Sequence, residues 1–155
     1  MQLLANAVLR VTKLTDYATV VLTVLAAETG QVFSASELAE RACLEPPTVS
    51  KVLKPLARAG LVEGFRGVHG GYRLARPPEA ISLADVVEAM EGPIGMTECS
   101  VQHGQCGIEH RCGIRTGWRQ VSELVADALR AVSLAHLVNP APHGPKHIAV
   151  RLAAP

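Results

Sequence analysis

The stretch SASELAERACLEPPTVSKVLKPLARAGLVEGFRGVHGGYRL, residues 34–74, carries the signals of two helices followed by a hairpin. Ser34 stands three residues before Glu37, which is the spacing of a capping box at the start of a helix. The proline pair 46–47 suits the first turn of a second helix, which Gly60 suits as a stop. After this glycine the hydrophobic period alternates: LVEGF and YRLA are strand candidates joined by the glycine-rich turn RGVHGG.

The second helix of this stretch separates an apolar face from a polar one. Val49, Val52, Leu53 and Leu56 recur at helical spacing and predict its buried face. Hydroxyls near the start of the outward face can reach base edges, while its lysines and arginine suit phosphates. The outward residues are Thr48, Ser50, Lys51, Lys54 and Arg58.

The hairpin adds three further basic or polarisable side chains, Arg66, His69 and Arg73. An arginine on a slim glycine-rich wing can enter a minor groove and respond to its width. Helix, helix, turn, helix and hairpin is the order of a winged helix-turn-helix. A lone basic helix is usually only a solvated helix, but this order of elements favours binding to double-stranded DNA.

Two regions outside this stretch are also predicted to be helical. LTDYATVVLTVLAA, residues 14–27, is apolar nearly all round and predicts a buried first helix, with Thr15 and Asp16 as candidate caps. Ser82 caps a predicted helix from Leu83 to Met90.

A long amphipathic helix is predicted from Trp118 to about Leu137. A monomer would leave its long apolar stripe in water, so we expect this helix to form a homodimer. The residues that follow are rich in proline and alanine, and we expect a disordered tail there.

Composition limits the class of protein. The chain has 155 residues, is 48% hydrophobic and only 3% aromatic, and fits one mostly helical domain with or without an appendage. No apolar run is long enough to span a bilayer, and no signal peptide is evident, so we expect a cytoplasmic protein without a membrane partner. Residues 1–76 carry nine Lys/Arg against six Asp/Glu, so the N-terminal half is the one suited to a polyanion.

A cysteine-rich segment, CSVQHGQCGIEHRC at residues 99–112, lies between the last two predicted helices. Its thiols are Cys99, Cys106 and Cys112. Clustered cysteines in a reducing compartment are typical of metal or redox sites rather than disulfides. Soft thiolates without a CxxC pair fit an iron–sulfur cluster. Two alternatives remain: a zinc site formed by the three cysteines and one histidine, and a plain thiol redox switch. The remaining cysteine, Cys43, is expected to be a small buried hydrophobe on the face of Leu38.

These motifs together resemble the Rrf2 family of winged-helix regulators. The resemblance covers about residues 9–137 and rests on LRVTKLTDYATVVL, on the RGVHGGYRL wing, and on ISLADVVEAMEGPIG followed by the three spaced cysteines. Within the family the chain is similar to regulators of the Suf iron–sulfur assembly system, of the IscR and NsrR type. The resemblance implies that Ser50 and Lys51 contact bases and that Arg66 enters the minor groove, whereas Pro47 departs from some relatives and leaves the operator sequence open.

The resemblance leaves the fourth cluster ligand open. IscR-like relatives place a histidine three residues after the last cysteine, but Arg115 stands there and cannot be a ligand. Asp16 lies in the LTDYA segment, where NsrR-like relatives place an acidic ligand donated by the partner subunit; we favour it narrowly as the fourth ligand, and an N-terminal helix cap is its equal alternative role. His103 and His110 are the local alternatives.

The sequence therefore predicts a cytoplasmic, homodimeric, mostly α-helical transcription regulator with a two-stranded β wing. Its DNA affinity would depend on an iron–sulfur cluster of 2Fe–2S or 4Fe–4S type, the former slightly preferred, and it would control Suf genes. A zinc- or thiol-based redox regulator is the alternative. No motif indicates an enzyme or a small-molecule substrate. The expected division is an N-terminal extension (1–8), a winged helix-turn-helix domain (9–82), a cluster-binding loop with a dimerisation helix (83–137), and a tail (138–155).

Overall fold

The computed structural model describes residues 10–101, 107–108 and 111–140, and it is mostly helical. Among these residues, no helix is both long and apolar enough to cross a bilayer. The elements in chain order are α1 (Lys13–Ala27), α2 (Ala35–Ala42), α3 (Pro46–Arg58), β1 (Val62–Phe65), β2 (Gly71–Leu74), a 3-10 turn (Pro78–Ala80), α4 (Leu83–Glu91), α5 (Glu98–Val101), α6 (Arg115–Arg130) and α7 (Leu134–Val138).

Local signals set most of the helix starts. Both halves of the predicted capping box form at α2, where Ser34 and Glu37 bond each other's backbone N–H groups. At α1 the prediction was wrong: Thr12 is the N-cap, and its Oγ1 accepts from the backbone N–H of Thr15. Asp16 lies inside the first turn, and the N-cap lies three residues before Thr15, the earlier of the two candidate caps.

The core of the winged head is aliphatic and lies where α1, α2 and α3 meet. Val49, Val52, Leu53 and Leu56 are all at most 1% exposed, which confirms the predicted buried face of α3. Burying one such side chain stabilises a fold by about 1.5–3 kcal/mol. The other fully buried large residues of this core are Val21, Leu22, Leu25, Leu38, Leu61, Ile81, Val86 and Leu134.

The wing is an antiparallel pair in which Val62 faces Leu74 and Phe65 faces Gly71. Phe33 extends it by one bridge, exchanging backbone hydrogen bonds with Tyr72 at 2.9 and 2.7 Å. A Cβ on Gly71 would lie 2.3 Å from the Phe33 carbonyl oxygen, so this residue must be glycine for the wing to dock on the head. The predicted hairpin is thereby confirmed.

The C-terminal helical region differs from its prediction. The predicted single helix from Trp118 to Leu137 is instead two, since α6 ends at Arg130 and Ser133 begins α7 with a capping box. The backbone N–H of Leu134 donates to the Ile81 carbonyl at 2.9 Å, and the Leu134 side chain is fully buried in the head. The chain after α6 therefore returns to the core of the head.

The prediction for Cys43 was also wrong, because its side chain is exposed. Cys43 is the C-cap of α2 and adopts a left-handed conformation with φ of 53°. A left-handed residue no longer continues the helical face on which Leu38 is buried. The predicted tail lies largely outside the described residues, as does the N-terminal extension.

Candidate nucleic-acid interface and cysteine segment

The outward face of α3 presents the residues that the sequence singled out. Ser50, Lys51, Lys54 and Arg58 are exposed, and Thr48 is half-buried. The buried face of the same helix packs on α1 and α2, which fixes this polar face outward. Hydroxyl groups near the helix start and cations further along form one continuous surface suited to duplex DNA.

At the wing, Arg66 and His69 are exposed and flank Val68, which is 97% exposed. The tip therefore projects a cation and an imidazole away from the head. The sequence analysis did not single out Val68, and only the geometry of the turn reveals its exposure.

Arg73 has a different environment from Arg66. Its Nε donates to Glu63 Oε1 at 2.5 Å, and its guanidinium lies 4.7 Å from the centre of the Phe65 ring. Glu63 is the cross-strand partner of Arg73 in the wing register. The Arg73 side chain thus stabilises the wing through contacts across and along its strands. The sequence analysis missed Glu63 and Phe65, because their role depends on strand register.

The cysteine segment is described in part. Cys99 lies on α5, is half-buried, and has its Sγ 3.2 Å from Thr97 Oγ1. Cys112 is half-buried and precedes α6. Cys106, His103 and His110 lie outside the described residues. Within the described part of the chain, both cysteines are free thiols and no three candidate ligands converge on one point.

A polar cavity of about 320 Å³ lies between α5 and α6, beside Cys99. Its wall includes Arg119, Arg130, Ser122 and Glu123. Arg130 also donates to Asp127 Oδ1 at 2.9 Å, so part of this positive charge is neutralised.

Asp16 is exposed on the first turn of α1, in a groove that it lines with Arg10, Thr12 and Lys13. Because Thr12 is the N-cap, the Asp16 carboxylate does not perform that role. The structure does not bring Asp16 together with Cys99 or Cys112 in a group of candidate metal ligands among the described residues.

Glu91, at the end of α4, fastens the start of α1. Its Oε1 accepts from the Thr12 backbone N–H at 2.7 Å and from the Thr15 hydroxyl at 2.6 Å. Burial of the Glu91 carboxyl opposes ionisation, but the hydrogen bonds from Thr15 and Thr12 outweigh it, so the pKa of Glu91 lies below its ordinary value. This contact joins the turn that carries Asp16 to the helix that leads into the cysteine segment.

The helix α6 has two unlike sides. Ser122 and Ala126 are buried, at 5% exposure each. Trp118, Val121 and Leu124 are 37–40% exposed at helical spacing, and Ile114 before them is 65% exposed. An exposed apolar stripe of this kind is typical of an interaction surface.

Comparison with known proteins identifies the family of this chain. The family Rrf2, described as an iron-dependent transcriptional regulator, matches residues 11–140. The chain belongs to the Rrf2 family. Members of the Rrf2 family are transcriptional regulators and not enzymes, so the chain is a DNA-binding transcription regulator with a winged helix-turn-helix, as its sequence predicted.

The chain is similar to two further proteins by sequence and to a third by structure. Protein aau3 of Rhizobium meliloti is 35% identical over 86% of this chain and 88% of its own length. The HTH-type transcriptional regulator IscR of Erwinia tasmaniensis is 33% identical over 67% of this chain, which spans only 62% of that protein. CymR, the global cysteine regulator of B. subtilis, has a solved structure that superposes with a TM-score of 0.65 at 27% identity, covering 84% of this chain and 96% of CymR.

Proposed function

We propose that this regulator is a homodimer whose affinity for DNA depends on an iron–sulfur cluster, and that it controls genes for iron–sulfur cluster assembly of the Suf type. The iron-dependent description of its family supports iron as the signal. The observation that carries the proposal is the pair of free, half-buried thiols, Cys99 and Cys112, at the two ends of the cysteine segment.

The donor set fits such a cluster by its chemistry. Cys99, Cys106 and Cys112 would supply three soft thiolates, and Asp16 of the partner subunit would supply the fourth ligand. Support for Asp16 comes from its exposure and from Thr12 taking the cap of α1. When bound, the cluster would link the cysteine segment of one subunit to α1 of the partner subunit. The strength of this link would depend on the redox state of the cluster.

The exposed face of α6 supports the homodimer. A monomer would leave Trp118, Val121 and Leu124 partly in water, and burial against a second copy would remove that apolar area. A two-fold axis between two copies of α6 would place two recognition helices on successive major grooves of a roughly palindromic operator.

On the DNA, each side chain would have its own role. Ser50 and Lys51, with Thr48 beside them, would read base edges, and Lys54 and Arg58 would contact phosphates. Arg66, with His69 next to the wing tip, would enter the minor groove. Arg73 would contribute to binding through the shape of the wing, because Glu63 and Phe65 engage it.

Anaerobic purification tests the cofactor directly. Iron and sulfide analysis beside a visible spectrum should give a loaded cluster, and Cys99→Ala, Cys106→Ala or Cys112→Ala should abolish it. Asp16→Ala should leave a labile cluster with an altered spectrum, while His103→Ala and His110→Ala should be nearly silent. Stoichiometric zinc without iron would contradict the cofactor. Loss of the cluster in a histidine variant but not in Asp16→Ala would contradict the cross-subunit ligand.

A thiol-based regulator is the second candidate, and one contact favours it. The Thr97 hydroxyl lies 3.2 Å from Cys99 Sγ, a distance at which it can donate a hydrogen bond to a thiolate. The likeness to CymR of Staphylococcus aureus, whose structure has been solved in an oxidized form, agrees with this alternative. Iron-free protein whose DNA affinity changes on reversible oxidation, and no longer changes in Cys99→Ala, would favour it over the cluster.

A further inference from the structure

The segment that leads into the cysteines is fastened to α6 by one buried hydroxyl. The backbone N–H of Met96 donates to Ser122 Oγ at 3.0 Å, and Ser122 Oγ donates to the Trp118 carbonyl at 2.8 Å. Ser122 is only 5% exposed. Its hydroxyl therefore works as acceptor and donor at once, and it ties Met96 to the turn of α6 that carries Trp118.

Close packing holds this contact in place. A Cβ on Gly95 would lie 2.5 Å from Val101 Cγ2, so the backbone before Met96 lies directly against α5. Ala126, one turn after Ser122, is also 5% exposed. The segment, α5 and α6 thus form one contiguous unit, which the Met96–Ser122 hydrogen bond joins and which borders the polar cavity of about 320 Å³ between the two helices.

Cys99 belongs to the same unit. The Thr97 hydroxyl lies within hydrogen-bond distance of Cys99 Sγ, at 3.2 Å, and of Ser100 Oγ, at 2.7 Å. The Ser100 backbone N–H donates to the Thr97 carbonyl at 2.9 Å. Because these bonds hold the backbone from Thr97 to Ser100 and the Ser122 hydroxyl holds Met96, a displacement of this backbone at Cys99 acts on the Met96–Ser122 bond.

We infer that Ser122 is a positioning residue that transmits the state of Cys99 to α6, and through the exposed face of α6 to the spacing of the two DNA-binding heads. The inference rests on the proposed function and names one route of its regulation. Without the Ser122 hydroxyl the Met96 N–H loses its partner, so the segment can move while α6 stays still.

The test compares Ser122→Ala with Ser122→Thr, which keeps the hydroxyl, and with Thr116→Ala at an exposed position of α6. In Ser122→Ala the Met96 amide should exchange its hydrogen at least about tenfold faster, with parental rates in the other two variants and in α3. The ratio of DNA affinities between cluster-loaded and cluster-free protein should fall toward one in Ser122→Ala, at parental iron and sulfide content. Ser122→Thr should restore the parental ratio, which a merely structural loss would not predict.

A parental exchange rate at Met96 in Ser122→Ala, or a parental affinity ratio once that protection is lost, would overturn the inference. If Ser122→Ala does not fold, Ser122→Cys, with a weaker acceptor of similar size, should give the same two changes at smaller amplitude. A parent protein that lacks iron and sulfide contradicts the proposed function instead, and the exchange rate of Met96 then decides the role of Ser122 by itself.

Discussion

At the scale of single residues, the wing shows how surroundings give two arginines different tasks. Arg66 is exposed at the tip, whereas Arg73 is engaged by Glu63 and Phe65. A side chain that is already paired gives up that pairing when it turns to a phosphate, whereas an exposed one gives up only water. The free arginine is therefore the one expected to contact DNA.

Arg66→Ala should weaken binding to a specific operator by about 1–3 kcal/mol, because a minor-groove arginine contributes to reading groove width. Fluorescence anisotropy at moderate salt measures the change. Arg76→Ala is the matched control, since it removes the same charge from a residue that faces Asp85 at 3.8 Å rather than the wing tip. Equal losses of operator affinity in the two variants would show that Arg66 contributes only a general charge effect.

Lys54→Ala should weaken binding to all DNA sequences about equally and should reduce the slope of log affinity against log salt by about one unit. Each phosphate contact releases counterions, and Lys54 is exposed on the outward face of α3. Lys13→Ala, which removes a lysine of α1, serves as control in the same titration. A loss confined to the cognate operator would instead assign Lys54 to base reading.

At the scale of elements, the predictable parts are those fixed by neighbouring residues. The Ser34–Glu37 capping box, the buried stripe of α3 and the glycine-rich hairpin all follow from local spacing. The end of α6 does not, because it depends on the burial of Leu134 in the core of the head, which is a tertiary effect. Cys106, one of the predicted ligands, lies outside the described residues, so the cysteine site remains a prediction.

The junction of α1 and α4 should weaken in acid. The pKa of Glu91 is lowered in the folded state, so ionised Glu91 stabilises the fold above its unfolded pKa, and this contribution is lost as pH falls through the lower folded pKa. Glu91→Gln should therefore have a lower Tm than the parent at neutral pH, and the difference should shrink below about pH 4. Thermal unfolding across this range measures it.

Glu79→Gln is the control for this pH series, because Glu79 is exposed in the 3-10 turn and its substitution removes the same charge. A Tm difference for Glu91→Gln that does not change with pH would mean that the carboxylate charge has no part in fastening α1. The same would follow if Glu79→Gln reproduced the full effect.

At the scale of the whole molecule, the exposed apolar face of α6 is the feature that supports the proposed homodimer. Val121→Glu should convert a dimer to a monomer, because a carboxylate buried in an apolar interface is strongly unfavourable. Analytical ultracentrifugation gives the mass, and Thr116→Glu adds the same charge at an exposed position of the helix as a control. Val121→Glu that sediments as the parent does would show that this face is not the subunit contact.

The return of the chain to the head has a consequence for how the protein is made. Leu134 is fully buried beside Ile81, and Val138 packs against the same core. Both residues follow Cys99, Cys106 and Cys112 in the sequence, so the ribosome synthesises them after these cysteines. A nascent chain that does not yet include these two residues has an incompletely packed core, since a domain completes its packing only when all its parts have emerged from the ribosome. The DNA-binding head therefore completes its core only after Cys99, Cys106 and Cys112 have been synthesised, so the cysteine segment exists before the chain can bind an operator with a finished head.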